Sequence, residues 1–175
     1  KKNKSYIGAG GRMIGFEMLK KNKKDYKIKN PYCLYSNIKL DQKNKIERFN
    51  YFIKNFCDLP KNSIIKKSIL LENYKLASNN FDNHIEIMDH FSALYNVLSG
   101  RIKIFKKALI FHQDHLESEG NIRWNTIKPF FTSKNFLEYL IRFDNLLSSK
   151  IKFKKFEIIK RYYENILSAH LDFLS

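Results

Sequence analysis

The sequence predicts a mainly α fold: an irregular antiparallel bundle of about five or six helices over 41–175, behind a basic and less regular segment over 1–40. Three observations predict it. Apolar residues recur at three- and four-residue spacing from Asp41 onward, the stripe of a helix with one buried face. Stop signals separate these runs at Leu59-Pro60, Ser78-Asn79-Asn80 and Ser99-Gly100. The composition supplies a core: 43% of the 175 residues are hydrophobic, with Phe 15 and Tyr 10, which argues against intrinsic disorder. A chain of this length suits one domain that buries roughly two-thirds to 70% of its unfolded surface.

Taken in order, residues 1–40 carry a turn at Gly8-Ala9-Gly10-Gly11, a short helix around Arg12 to Lys21, a lysine run through Lys29, and an extended stretch from Tyr32 to Leu40 after Pro31. Asp41 is positioned to cap the first bundle helix, whose apolar face is Ile46, Phe49, Phe52, Ile53 and Phe56. A second helix starts near Asn62 or Ser63 and carries Ile65, Ile69, Leu70 and Leu76. The third, from Asp82 to Leu98, presents Ile87, Phe91, Leu94 and Leu98, and Ser99-Gly100 ends it. A fourth, from Arg101 to Leu116, is read on Ile102, Phe105, Leu109 and Leu116. Pro129 interrupts the following stretch. Ser133 caps a fifth helix to Leu147 along Phe136, Tyr139, Leu140, Phe143 and Leu147, and a sixth runs from Phe153 to Leu174. No motif recurs at a fixed period, so a solenoid is not indicated.

The formal charge is +16, from 33 basic and 17 acidic residues, with a pI near 9.7. Such a balance is the electrostatic footprint of a nucleic-acid or anionic-surface binder. Only six of the basic residues are Arg, and a Lys-, Asn- and Ile-rich profile is also what codon bias in an AT-rich genome produces. The excess is uneven: residues 1–28 carry +7 and 29–62 carry +4, whereas 63–100 carry −1. Cys33 and Cys57 lack a CxxC partner, so a reducing, intracellular and cytoplasmic setting is expected, with no disulfide framework. No apolar run reaches the length of a membrane span, and Arg12 and Glu17 break the only stretch that hints at a signal peptide. The chain begins without Met, which reads as a fragment or a processed product.

Catalytic signatures are missing: the sequence holds no GxxxxGK[ST], HExxH, GxSxG or EF-hand loop, and no cofactor is expected. Gly8-Ala9-Gly10-Gly11 lacks the preceding strand that a phosphate-cradling loop needs in this reading. His84, His90, His112 and His115 would come level if the third and fourth helices formed a hairpin at Ser99-Gly100, giving a candidate metal or acid/base cluster. Against it, His84 and His90 would stand about 9 Å apart along one helix axis. Basic residues interleaved with aromatics are the other candidate. Arg12, Lys103, Lys106, Lys107, Arg123, Lys154, Lys155 and Arg161 would contact phosphates, and Trp124 would stack on a base. The bland alternative makes the lysines a solvated face and Trp124 a plug at the bundle end.

These observations lead to an expected non-catalytic, nucleic-acid-associated helical domain, with RNA favoured as partner. A protein-interaction or scaffold subunit of a larger assembly is the first rival. A nuclease or metal-dependent enzyme built on the histidine cluster is the second.

Overall fold

Tyr6–Lys20 runs as one long strand, β1, and the rest of a four-stranded sheet is ordered around it. The architecture is that of a computed structural model, which describes residues 6–20, 26–34, 37–57, 59–81, 84–114, 134–154 and 156–167. Strand β2 (Tyr26–Leu34) pairs antiparallel with β1 from Met13↔Leu34 to Lys20↔Tyr26. The short β3 (Ile64–Ile65) pairs antiparallel at Gly8↔Ile65 and Ala9↔Ile64. Strand β4 (Arg101–Asp114) lies parallel to β1, from Tyr6↔Arg101 to Glu17↔Asp114. Both β2 and β3 overlap β4 along β1, so they must share the opposite edge, end to end. The sheet is therefore mixed and three strands wide.

This overturns the mainly α prediction: strands make up 30% of the described residues, and the fold is α/β. The expected irregular segment over 1–40 holds β1 and β2 over most of its described length. Neither the turn at Gly8 to Gly11 nor the helix from Arg12 forms, because both lie within β1. These glycines serve close approach instead. A Cβ on Gly8 would sit 2.6 Å from the Ile64 carbonyl oxygen, and one on Gly10 would sit 2.4 Å from Ser63 Oγ.

Five α-helices accompany the sheet among the described residues. Helix α1 (Lys45–Lys54) is capped by Asn44, whose side chain accepts from the amides of Ile46 at 2.8 Å and Glu47 at 3.3 Å; Asp41 is not the cap. Helix α2 (Lys67–Asn80) starts later than expected, since Ile65 belongs to β3. Helices α3 (Ile85–Ser99) and α4 (Lys134–Ser148) fall close to their predicted bounds. The terminal helix starts later than expected: Phe156, at φ 65°, precedes α5 (Glu157–Tyr162), which continues as a π turn over Tyr163–Leu167, and the rest of the predicted span lies outside the described residues. The predicted helix from Arg101 does not exist, because that stretch is β4.

One core joins the helices to the near end of the sheet. Its centre is α3, whose Ile87, Phe91, Leu94, Tyr95 and Leu98 are wholly buried between α1, α2 and α4. Each such side chain contributes about 1.5–3 kcal/mol relative to exposure. Phe81, Phe91, Phe143 and Tyr162 form a chain of ring contacts through it, with neighbouring centroids 5.1–5.9 Å apart. Ile7, Ile65, Ile102 and Leu40 supply the sheet side.

Polar groups pin the layers. Buried Arg48 donates from Nε to the Val97 carbonyl at 2.7 Å, satisfying a C-terminal carbonyl of α3. Burial, and then the charge of Arg101, lowers the Arg48 pKa. Buried Asn73 donates to Asn96 Oδ1 at 3.0 Å, and Asn96 donates to the Pro60 carbonyl at 3.1 Å. Lys150 reaches Glu72 Oε1 at 3.0 Å and lies 4.6 Å above the centre of the Tyr95 ring. Burial opposes the charge on Lys150, but the Tyr95 hydroxyl and Glu72 outweigh it and raise the Lys150 pKa.

The far end of the sheet lies beyond this core. None of the described side chains of β2 belongs to it, and Lys27 to Cys33 are all exposed. Strands β2, β1 and β4 therefore continue as a blade, with the helices at one end.

Candidate nucleic-acid interface

The blade's chemistry is set by a break in the β1–β4 ladder. Gly11 pairs with Phe105, yet Arg12 pairs with Ala108, so Lys106 and Lys107 bulge out of β4. Gly11 leaves room for the bulge: a Cβ there would lie 2.6 Å from the Lys107 carbonyl oxygen and 2.5 Å from Leu109 Cγ. A bulge breaks the alternation of faces and re-aims side chains. Phe105, Lys106 and Lys107 are consequently exposed in succession, with Lys103 exposed two residues before. Phe105 is 45% exposed and Phe111 is 70% exposed, large values for rings that a core would normally claim. Across the ladder, Arg12 has a buried Nε with no hydrogen-bond partner among the described residues. A buried guanidinium donor left unpaired is costly, and an anion would satisfy it.

Beside the bulge lies an open cleft of about 610 Å³, lined in part by Lys39, Asp41, Tyr51, Phe105 and Lys106. Its outer wall, residues 37–41, is tied at several points. The Ile102 amide donates to the Leu40 carbonyl at 2.8 Å, and Arg101 Nε donates to the Asp41 carbonyl at 2.8 Å. The Tyr51 hydroxyl accepts from the Lys39 amide at 3.3 Å and donates to the Asn37 carbonyl at 3.2 Å. Arg101 is itself held by the Tyr6 hydroxyl at 2.7 Å and by the Tyr6 ring. The cleft is thus built on fixed backbone.

The structure brings Arg12, Lys103, Lys106 and Lys107 onto two adjacent strands. Lys154 is exposed in the loop before α5. Arg161 is engaged: it meets Glu157 at 2.7 Å, donates to Asn50 Oδ1 at 2.9 Å and lies over the Phe153 ring. Arg123, Trp124, Lys155 and His115 lie outside the described residues. The helical hairpin that would align the histidines does not form, since His112 is exposed on β4. His84 immediately precedes α3 beside the Tyr139 ring. His90 Nδ1 lies 2.5 Å from the Tyr162 hydroxyl, and its ring packs edge-on against Phe56. Burial pushes the Tyr162 pKa up, so that hydroxyl stays protonated. Among the described residues no group of three or more His, Cys, Asp or Glu is placed to hold a metal ion.

Sequence reasoning missed Phe105, Phe111, Lys39, Asp41 and Tyr51 as site residues. Phe105 also fits a buried helix stripe with Ile102 and Leu109; the signal for a strand is the Ile102, Lys103, Ile104 alternation. The lysines of β4 also have a structural use. Among the described residues β4 is an edge strand beyond its bridge to Leu40, and edge lysines discourage pairing with other chains. No described helix is long and apolar enough to cross a membrane. No family model, curated protein or solved structure matches the chain.

Proposed function

We propose that the chain binds single-stranded RNA, without catalysis, along the β4–β1 surface of the blade. The observation that carries this reading is the succession on one bulged strand of Lys103, Lys106 and Lys107 with exposed Phe105 and Phe111, beside a strand whose Arg12 has no partner for its Nε among the described residues. Cations spaced along a strand can follow phosphates, while exposed rings offer stacking platforms to unpaired bases. An exposed Phe among lysines is poorly explained as a solvated face. Cys33 and Cys57 form no disulfide among the described residues, which suits a reducing, intracellular setting.

A scaffold role is the second reading, supported by Ile28 and Tyr32, two large apolar side chains exposed on the outer strand β2. Salt separates the two. Fluorescence anisotropy with a labelled oligouridylate should show affinity falling steeply with salt, and Lys106→Ala/Lys107→Ala should reduce the log–log slope by roughly 0.7 per lysine removed. Phe111→Ala should cost about 1–3 kcal/mol of binding with the slope unchanged. Absence of binding at low salt rejects the RNA reading and leaves the scaffold.

A further inference from the structure

We infer that the cleft beside the bulge holds one ribonucleotide of the RNA strand and that Asp41 selects ribose over deoxyribose through the 2′-hydroxyl. This inference rests on the RNA reading above. The cleft's size, about 610 Å³, falls within the roughly 300–1,000 Å³ typical of small-ligand sites. Its walls carry complementary chemistry: Lys39 and Lys106 for phosphate oxygens, the half-exposed Phe105 ring for a base, and Asp41.

Asp41 is the informative member. A carboxylate in a cleft meant only for phosphate would weaken binding by repulsion. Among the described residues the Asp41 side chain makes no hydrogen bond or ion pair; only its backbone carbonyl is used, by Arg101. A half-buried carboxylate is a pure acceptor, so it calls for a ligand donor. Within a nucleotide the sugar hydroxyl is a donor present in RNA and lost in DNA at every position. The wall that carries Asp41 is anchored on both sides, by Leu40 to Ile102 and by Lys39 and Asn37 to Tyr51. The acceptor is therefore held in place before the ligand arrives, as discrimination between sugars requires.

The test compares a labelled oligouridylate with the matching oligodeoxyuridylate on the full chain, so that the base is constant. The wild type should favour the ribo form by about tenfold, the effect of one charge-assisted hydrogen bond. Asp41→Ala should erase that ratio, chiefly by weakening the ribo form, and leave the deoxy affinity equal or higher. Should that variant fail to fold, Asp41→Asn, which keeps the shape and loses the charge, should lower the same ratio. If both oligonucleotides bind but the ratio survives substitution, or both affinities fall equally, the Asp41 assignment is overturned and the RNA reading stands. If neither binds at low salt, both fall. Uridine 5′-monophosphate distinguishes a strand from a free nucleotide: it should bind far more weakly than the oligomer, and equal affinity would overturn the assignment to RNA.

Discussion

Two glycines of β1 respond differently to the same added methyl group. At Gly8 the new Cβ meets the Ile64 carbonyl oxygen at 2.6 Å, which is backbone fixed by the β1–β3 pairing. At Gly15 it meets the outer end of Tyr32 at 2.1 Å, a side chain that is 40% exposed and can swing away. Gly8→Ala should therefore cost about 2–3 kcal/mol by urea denaturation, near the upper end for overpacking. Gly15→Ala should cost less than about 1 kcal/mol, because the gain from removing a strand glycine offsets part of the displacement. Equal losses at the two positions would contradict this placement of Ile64 and Tyr32. Neither role was legible in the sequence, where Gly8 to Gly11 looks like a turn. What an added Cβ would strike depends on pairing between strands: Ile64, 56 residues on, at Gly8 and Tyr32, 17 residues on, at Gly15.

Elements were legible where one period fitted and ambiguous where two did. Helices α1 and α4 each bury a single face, and α3, although buried all round over Ala93 to Leu98, keeps its helical stripe and stop signal; spacing therefore placed α3 and α4 close to their observed bounds and α1 within its predicted span. In β4 the positions Ile102, Phe105 and Leu109 satisfy a helical stripe, while Ile102, Lys103 and Ile104 satisfy strand alternation. A short run cannot decide between them. Pairing with β1 decides, and the bulge at Lys106 and Lys107 disrupts the alternation that would have signalled a strand. The terminal helix starts later than its periodicity predicts for another reason: its start is fixed by a residue from another element. Asp144 of α4, buried, accepts from the Phe156 amide at 3.1 Å and the Ile159 amide at 3.2 Å, satisfying amides at the first turn of α5. Asp144→Ala should cost about 2–4 kcal/mol, since two bonds to a carboxylate are lost and both amides stay partly buried. Asp144→Asn, retaining one acceptor oxygen, should cost less. A urea midpoint unmoved by Asp144→Ala would show that these two bonds add nothing to the contacts of Ile158, Arg161 and Tyr162 that hold α5.

At the scale of the whole molecule, the core and the outer strand are held very differently. The core runs through α3 and stops at the near end of the sheet, whereas β2 is held by its ladder to β1 and has exposed side chains from Lys27 to Cys33. Local opening follows the density of buried contacts, so the blade should open without the core. Native-state hydrogen exchange should place the α3 amides from Phe91 to Leu98 at the global unfolding free energy, with a steep urea dependence. The ladder amides of β2 should exchange through smaller openings with a shallow dependence. Oligouridylate at saturating concentration should raise protection along β1 and β4 while α3 gains only the global linkage increment, because binding stabilises first the openings that destroy the site. Uniform exchange across β2 and α3 would mean that blade and core unfold as one unit. Protection gained on α5 around Arg161 instead of on β4 would move the RNA to the basic residues of α5.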